Sequence, residues 1–179
     1  MVPEDVLGTS GRLGYLEDVD RLLAAVAGQY DSAWCIDHLQ GDVLERWTAL
    51  TYLAARHPGL RWGHTVLAQS FRNPALVAKM GATLQFLSGG RFILGIGAGG
   101  QAAEHRTYGY AFPPGRERVA ALDEALQIIM ALWTRERATF AGAHYRVEGA
   151  SCEPQPNPLP PVMVGAFRPR MLSLAARHA

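Results

Sequence analysis

The sequence has little cysteine and no long apolar run. Its two cysteines, Cys35 and Cys152, lie outside any CxxC motif or His-rich segment, so a disulfide framework and a zinc site both lack support. No stretch approaches the roughly 18 apolar residues of a membrane span, and residues 1–13 lack the basic flank and continuous apolar core of a signal peptide. These absences predict a cytoplasmic protein in which both cysteines are packing residues.

Charge of one sign is also scarce. Seventeen basic and sixteen acidic side chains give a formal net charge of +1, and no run of like charges could follow a phosphate backbone. Nucleic acid is therefore not an expected partner. What is present is 49% hydrophobic residues over 179 positions, which suits one globular domain with a substantial core.

Short apolar runs alternate along the chain with longer segments of helical period. This alternation is typical of parallel βα units, in which an amphipathic helix follows each buried strand. The expected class is therefore α/β with a parallel sheet. The expected strands are Ser32–Ile36, Leu60–Ala68, Arg91–Ile96 and Pro161–Gly165. The expected apolar helix faces are Leu16, Val19, Leu22, Leu23 and Val26; Leu44, Trp47, Leu50 and Leu53; Leu76, Val77, Met80, Leu84 and Leu87; and Val119, Leu122, Leu126, Ile129 and Trp133.

Residues that begin and end helices separate these segments. Asp42 followed by Glu45 resembles a capping box, and Asn73 offers an N-cap before a proline at the first helical position. Gly89-Gly90 ends the helix that follows. Two further helices are expected, a short one at about Ala102–Tyr108 and one that begins at Arg168.

Residues 138–147 follow a different pattern. Apolar and polar residues alternate there, with turn residues at Gly142-Ala143, which predicts a small β-hairpin. A proline-rich connector, residues 153–161, then leads to the last expected strand.

Four sequence phrases carry a family resemblance. They are Tyr30–His38 (YDSAWCIDH), Phe71–Ala75 (FRNPA), Leu87–Gly99 (LSGGRFILGIGAG) and Pro161–Gly165 (PVMVG). Any one of them is weak evidence, but their order and spacing extend over about residues 15–179. The ordered set resembles the luciferase-like monooxygenase family (the bacterial-luciferase-like proteins) and looks closest to its deazaflavin-dependent branch.

The resemblance implies a TIM (β/α)8 barrel. Such a barrel needs about 250 residues and eight strands, whereas this chain offers four clear strands and none before its first helix. Residues 1–179 are therefore expected to form one incomplete barrel domain, roughly the N-terminal half, truncated at both ends, with the 138–147 hairpin inserted outside it. The two open sheet edges would invite pairing with another chain or aggregation.

His38 and its neighbour Asp37 are the candidate reactive pair. His38 follows an apolar strand that would end on the C-terminal face of the barrel, where this fold concentrates catalytic groups. Imidazole exchanges protons near neutral pH, and hydride transfer at a carbonyl or alcohol carbon requires such a partner. The resemblance implies that Asp37 contacts the cofactor ring and that His38 is catalytic. The alternative is a His that caps a loop and an Asp that caps the next helix.

The resemblance also implies a set of cofactor-binding residues. In the family, a segment matching Thr65-Val66-Leu67-Ala68 contains a cis peptide bond without proline, which would join Thr65 and Val66 here and support the back of the ring. An ordinary strand is the alternative. Residues matching the glycine-rich strand end and the last strand contact the cofactor as well. The full expected set is Asp37, Thr65, Val66, Ala68, Gly97, Ala98, Gly165 and Ala166.

Residues 95–100 satisfy the pattern G-x-G-x-x-G between a strand and a helix, which is also a dinucleotide-binding fingerprint. The rest of that fingerprint is missing. About twenty residues on, near Glu117, the chain is in a predicted helix, and no strand ends in an acidic residue that could hold a ribose. In a barrel the same glycines would let a bulky ring approach the strand end.

Two departures from the family pattern bear on function. Gly100 stands where some deazaflavin enzymes carry a glutamate that serves as a proton partner, which argues against sugar-phosphate oxidation of their kind; Glu104 is the nearest possible substitute. Phe167 and Arg168 replace expected glycines near the cofactor tail. Arg168 could meet a phosphate or be a solvated residue at a helix start.

Other polar residues have two interpretations each. His64 shares its side of a strand with Trp62 and Val66, so a hydrogen-bonded core histidine is at least as reasonable as a functional one. A group after the glycine-rich segment would lie over the barrel mouth and shape a substrate pocket, although a solvated face is the commoner explanation. Its members are Gln101, His105, Arg106 and Tyr108.

These inferences favour an oxidoreductase that transfers hydride between a reduced 5-deazaflavin (coenzyme F420) and a small-molecule substrate. One alternative is an FMN-dependent monooxygenase that acts with oxygen. The other is a truncated, non-catalytic barrel fragment or partner subunit, since barrels commonly bind phosphate through loops after the seventh and eighth strands. The resemblance also implies a homodimer formed through early barrel helices.

Overall fold

The computed structural model describes residues 12–41 and 44–179. Helices and strands alternate through most of this length, which confirms the predicted α/β class. The helices are α1 (Arg12–Val26), α2 (Arg46–Arg56), α3 (Pro74–Leu87), α4 (Ala102–Thr107), α5 (Gly115–Thr134) and α6 (Pro169–His178). The strands are β1 (Ser32–Cys35), β2 (Arg61–His64), β3 (Leu67–Ala68), β4 (Phe92–Gly97), β5 (Ala138–Ala141), β6 (Arg146–Ala150) and β7 (Val162–Val164).

The main sheet is parallel. Its strands follow chain order when β2 and β3 are counted as one interrupted strand. β1 pairs with β2, both β2 and β3 pair with β4, and β7 pairs with β4 on its other side. β2 and β3 are two pieces of the predicted strand Leu60–Ala68, interrupted at the Thr65–Val66 peptide bond, which is cis. The four predicted parallel strands are therefore present.

β2 and β4 place large side chains on one face of this sheet and glycines on the other. Trp62 and Phe92 are paired across β2 and β4 and are fully buried, and Trp47 of α2 packs against Phe92 with ring centroids 5.6 Å apart. Since side chains alternate along a strand, Gly63 and Gly95 point to the opposite face. A Cβ at Gly95 would overlap the carbonyl oxygen of His64. The helices thus cover one face, while on the other face Gly63 leaves room for the ring of Trp34, whose Cζ3 would lie 2.5 Å from a Cβ at that position.

α3 and α5 pack on each other outside the sheet. Trp133 of α5 donates its indole N–H to the carbonyl oxygen of Ala78 at 2.8 Å, and its ring lies over Gly81, where a Cβ would come within 2.8 Å. The buried side of α3 passes through Val77, Ala78 and Leu84. Glycine at position 81 therefore lets the two helices approach closely.

Three residues predicted to face the core do not. Leu76 and Leu87 are 52% and 65% exposed, because the buried side of α3 is centred on Val77 and Ala78, and successive helical residues point about 100° apart. Leu44 is 46% exposed and precedes α2. Glu45 is the N-cap of α2, with its carboxylate accepting from Trp47 N at 3.1 Å and from Thr48 N at 2.7 Å; its predicted capping partner Asp42 lies outside the described residues.

A hairpin formed by β5 and β6 lies beside α5. Its second strand continues to Ala150, three residues past the predicted end at position 147. The carboxylate of Glu124 on α5 accepts N–H groups from the turn, at 2.8 Å from Ala143 N and 2.9 Å from His144 N. Gln69 also donates to the Tyr145 hydroxyl at 2.6 Å. The hairpin is thus tied to α5 and to the segment after β3.

Both cysteines are unpaired and packed against the core, as predicted. Burial raises the pKa of the Cys35 thiol to about 11, so this thiol stays protonated and unreactive at neutral pH. In the part of the chain that the structure describes, no helix combines the length and apolar character needed to cross a membrane.

Candidate functional site

A cavity of about 870 Å³ opens at the carboxyl ends of the parallel strands. It lies where Asp37 and His38 follow β1, where Thr65 follows β2, and where β4 ends in glycines. Of the predicted site residues, His38, Asp37, Thr65, Val66, Ala68, Gly97, Ala98 and Gly165 all line it, whereas Ala166 does not. The strand-end pair and the glycine-rich segment therefore face the same space.

The floor of the cavity is shaped by Val66. A Cβ at Gly97 would come within 2.6 Å of its Cγ2, and a Cβ at Gly165 within 3.0 Å of its Cγ1. Such separations are shorter than van der Waals contact allows, so glycine is needed at both positions. At these two positions the backbone therefore lies directly against the Val66 side chain.

Asp37 lines the cavity, but its carboxylate is engaged elsewhere. It accepts from Ala68 N at 2.9 Å and makes a two-point ion pair with Arg72, at 2.7 and 3.1 Å. Arg72 also reaches Glu45 at 2.6 Å. The Asp37 side chain is fully buried. In this arrangement Asp37 holds the segment after Val66 in place, rather than directing a free oxygen into the cavity.

His38 meets a carboxylate from a different unit of the sheet. Its Nδ1 lies 3.4 Å from Oε2 of Glu104 on α4, and its side chain is 32% exposed. Oε1 of Glu104 accepts N–H groups from Leu39 and, at 2.8 Å, from Gln40. The Tyr108 hydroxyl donates to the Leu39 carbonyl oxygen at 2.6 Å. α4 thus holds the segment that carries His38 at two points.

Glu104 is ionised at neutral pH in spite of its burial. Burial by itself would raise the pKa of this carboxyl, but the N–H groups of Gln40 and Leu39, together with the His38 ring, outweigh burial and lower the pKa. Glu104 was considered in the sequence only as a substitute for the acid missing at Gly100, which itself is exposed with open space around it. The contact with His38 was missed because 66 residues separate the two.

His105 is buried, contrary to the solvated face that its short polar helix suggested. Its Nδ1 lies 2.8 Å from the carbonyl oxygen of Gln101, so Nδ1 carries a proton, and its Nε2 accepts from the Ser70 hydroxyl at 2.7 Å. The ring packs among aromatic side chains, which include Phe71, with 4.6 Å between the two ring centroids. Arg106 is exposed. His105 is thus a structural wall of the cavity.

Four arginines stand around the rim at the starts of α5 and α6. Arg118 lies 3.9 Å from the centre of the Phe112 ring and donates to the Pro113 carbonyl oxygen at 2.6 Å. Arg116, Arg168 and Arg170 line the cavity. Of these, only Arg168 was identified in the sequence. The signal that was overlooked is basic residues in the first turn of helices at the strand-end side of the sheet.

His64 lies away from the cavity, on the helix-covered face. It is completely buried and stacks on Trp47 with ring centroids 5.2 Å apart. The core-residue interpretation is therefore correct. The expected hydrogen bond is not formed, because neither ring nitrogen has a well-aligned partner within residues 12–41 and 44–179. Burial lowers its pKa to about 4, so the ring is neutral at physiological pH.

The described residues contain no cluster of three or more His, Cys, Asp or Glu side chains arranged to hold a metal ion.

Comparisons with known proteins relate this chain to one family. A family model described as luciferase-like monooxygenase matches residues 7–179. An F420-dependent glucose-6-phosphate dehydrogenase from Kineococcus radiotolerans is 35% identical over 189 residues, which cover 97% of this chain and 56% of that protein. The enzyme of the same name from Intrasporangium calvum is 37% identical over 183 residues, which cover 94% of this chain and 52% of that protein.

Solved structures show the same fold. An F420-dependent secondary alcohol dehydrogenase in complex with an F420-acetone adduct superposes with a TM-score of 0.82 at 23% identity, covering 93% of this chain and 52% of that one. The FMN-bound oxygenating component of 3,6-diketocamphane monooxygenase from Pseudomonas putida has a TM-score of 0.73 at 17% identity, with coverages of 89% and 48%. The chain thus spans about half the length of the proteins it matches, and its architecture is a partial (β/α)8 barrel, as predicted.

Proposed function

Because the chain belongs to the luciferase-like monooxygenase family, we propose that it is a deazaflavin-dependent oxidoreductase that transfers hydride between coenzyme F420 and a small organic substrate. The observation that carries this proposal is the shared cavity. Its apolar floor, built from Val66 over Gly97 and Gly165, faces the proton-exchanging pair His38 and Glu104. A flat surface beside a proton donor is what hydride exchange with a planar ring requires.

The residues present fit such a ring. A side chain at Gly97 or Gly165 would clash with Val66, so the glycines leave the floor free of obstruction, and a volume of about 870 Å³ is within the range of cofactor pockets. We propose that the ring is held by Thr65, Val66, Ala68, Gly97, Ala98 and Gly165, with Asp37 positioning the Ala68 segment. When bound, the deazaflavin supplies the hydride chemistry.

FMN is the alternative cofactor. The named curated relatives are F420-dependent, which favours the deazaflavin, while the FMN-bound monooxygenase shares the fold. Both cofactors carry anionic groups beyond the ring. The Arg168 side chain, unpaired within the described part of the chain, lines the cavity at the start of α6 and would offer a cationic contact to such a group.

The substrate class follows only coarsely. Relatives are named for glucose 6-phosphate and for secondary alcohols, so we propose a small alcohol or carbonyl compound. Glycine at position 100 takes the place of an acid that sugar-phosphate oxidation uses elsewhere in the family. Its absence favours a simple alcohol as substrate. We further propose that residues 1–179 act as one incomplete barrel domain, as a homodimer in the cytoplasm. The alternative is a non-catalytic fragment or partner subunit, since the matched proteins are about twice as long.

Cofactor titration tests the proposal. Purified chain is titrated with oxidised F420 and, separately, with FMN, and cofactor fluorescence is followed. We expect saturable binding of F420, tighter than FMN binding. Gly97→Val should abolish binding because its side chain would occupy the place of Val66, whereas Gly59→Val, in open space, should bind normally. Binding that is absent for both cofactors in a folded chain, or unaffected by Gly97→Val, would overturn the proposal and favour the non-catalytic alternative.

A further inference from the structure

We propose that Glu104 is a positioning residue that keeps the proton of neutral His38 on Nδ1 and so leaves Nε2 as the atom that exchanges protons with the substrate. This inference rests on the proposed function for its chemical meaning. Its structural content, the tautomer of one histidine, can be measured without any cofactor.

The two carboxylate oxygens of Glu104 have different partners, and this difference supports the role. Oε1 of Glu104 accepts the N–H groups of Leu39 and Gln40, which fixes the carboxylate beside the segment that carries His38. Oε2 then lies 3.4 Å from His38 Nδ1, at the long end of a hydrogen bond. The carboxylate is therefore held by the backbone and aimed at the ring.

The charge of Glu104 determines which nitrogen carries the proton. An ionised carboxylate can only accept hydrogen bonds, so the ring nitrogen that faces it must be a donor. The side chain of Glu104 is only 5% exposed, and water therefore screens this interaction poorly. Nδ1–H is the favoured tautomer, and the remaining nitrogen, Nε2, has an unprotonated lone pair.

Nε2 is also the ring nitrogen that no other group of the described chain occupies. The His38 side chain is 32% exposed and lines the cavity, and Nε2 has no hydrogen-bond partner among residues 12–41 and 44–179. The ring thus keeps one nitrogen without a protein partner while its other nitrogen faces Glu104.

The proton and electron balance needs a base of this kind. When an alcohol is oxidised to a carbonyl, its C–H bond breaks as hydride, which the oxidised deazaflavin accepts, and its O–H bond breaks as a proton. His38 Nε2 takes that proton and becomes an imidazolium, whose positive charge lies beside the Glu104 carboxylate. In the reverse direction the imidazolium returns the proton to the alkoxide oxygen as hydride adds to the carbonyl carbon.

Glu104 replaces an acid at a different position of the family pattern. The sequence has glycine at position 100, and Glu104 lies one helical turn further along, in the first turn of α4. From there its Oε2 lies 3.4 Å from His38 Nδ1, and both residues line the cavity. The acid in this chain therefore acts through the histidine.

Nitrogen-15 NMR of histidine-labelled protein without cofactor tests the inference. The His38 signals are assigned by their loss in His38→Asn. In the neutral form of the wild-type ring we expect Nδ1 in the protonated, pyrrole-like range and Nε2 in the unprotonated, pyridine-like range. Glu104→Gln can still accept one or both backbone N–H groups but is uncharged, so we expect the His38 shifts to move toward the opposite tautomer.

Tyr108→Phe is the matched control, because it removes a second hydrogen bond to the same segment, at Leu39, without touching the His38 ring. We expect its His38 tautomer to be that of the wild type. A wild-type His38 with Nε2–H would overturn the inference even if Glu104→Gln failed to fold, as would equal shifts in Glu104→Gln and Tyr108→Phe, since Glu104 would then act only by ordering the loop. Cofactor titration of the same samples separates this failure from a failure of the proposed function.

Discussion

His38 and His64 lie in different surroundings near the strand ends of one sheet, and they are governed by different physics. His64 ends β2 on the helix-covered face, where it is fully buried against Trp47 and burial lowers its pKa to about 4. His38 follows β1 at the cavity, partly exposed and facing the Glu104 carboxylate. At His64 burial outweighs the charges of Asp37 and Glu45 and keeps the imidazole neutral, whereas a carboxylate at a solvent-accessible rim supports proton exchange. Position at a strand end is therefore insufficient to make a histidine functional.

The largest expected difference between the two histidines is in activity. His38→Asn should lower turnover of F420 with an alcohol substrate by about a hundredfold or more, the usual contribution of a general acid-base, while its cofactor affinity stays within a fewfold of wild type. His64→Phe should retain activity, because the ring lies outside the cavity. Steady-state F420 absorbance measures both. Equal losses in the two variants would contradict the assignment of roles.

Stability against pH gives the second difference. Between pH 6.5 and pH 4 the unfolded chain binds a proton at His64 that the folded chain does not, because the folded pKa is about 4 and the ordinary value is 6.5. The contribution of neutral His64 to the free energy of unfolding should therefore be complete above pH 6.5. The free energy of unfolding should fall as the pH drops toward 4, by up to about 3 kcal/mol.

Urea unfolding at a series of pH values measures this slope. His64→Phe should flatten it in that window, whereas His144→Gln, at an exposed position of the hairpin turn, should leave it unchanged. A slope of wild-type size in His64→Phe would show that other groups cause the loss of stability in this window.

The smallest expected effect concerns the missing acid. A Cβ at Gly100 would meet nothing within 4 Å, so Gly100→Glu should fold normally, with a change in stability within about 0.5 kcal/mol. If position 100 faces the substrate as the family pattern implies, this variant should gain turnover of a sugar phosphate relative to an alcohol. Thermal melts and paired assays give the two readouts. A large loss of stability would contradict the open environment of this residue.

The parts of the site that could be predicted from the sequence are those carried by strands. Residues at strand ends, such as Ala68 and Gly97, were expected from the family resemblance, and they lie together because parallel strands bring their carboxyl ends to one rim. The parallel strand order follows from the same βα alternation.

The remainder depends on contacts between distant segments, which no local pattern specifies. Glu104 approaches His38 only because the segment after β1 turns back over α4. The burial of His105 depends on aromatic residues of neighbouring loops. Likewise, Leu76 is exposed because α5 determines which side of α3 is covered, and a helix with apolar residues on several sides has no unique buried face.

A crystal structure of the chain with F420 tests the central claim most directly. The account predicts that the deazaflavin ring lies on Val66, above Gly97 and Gly165, with His38 beside the reacting face of the ring and Glu104 behind His38. A ring bound elsewhere on the molecule, or His38 turned away from the ring, would contradict it.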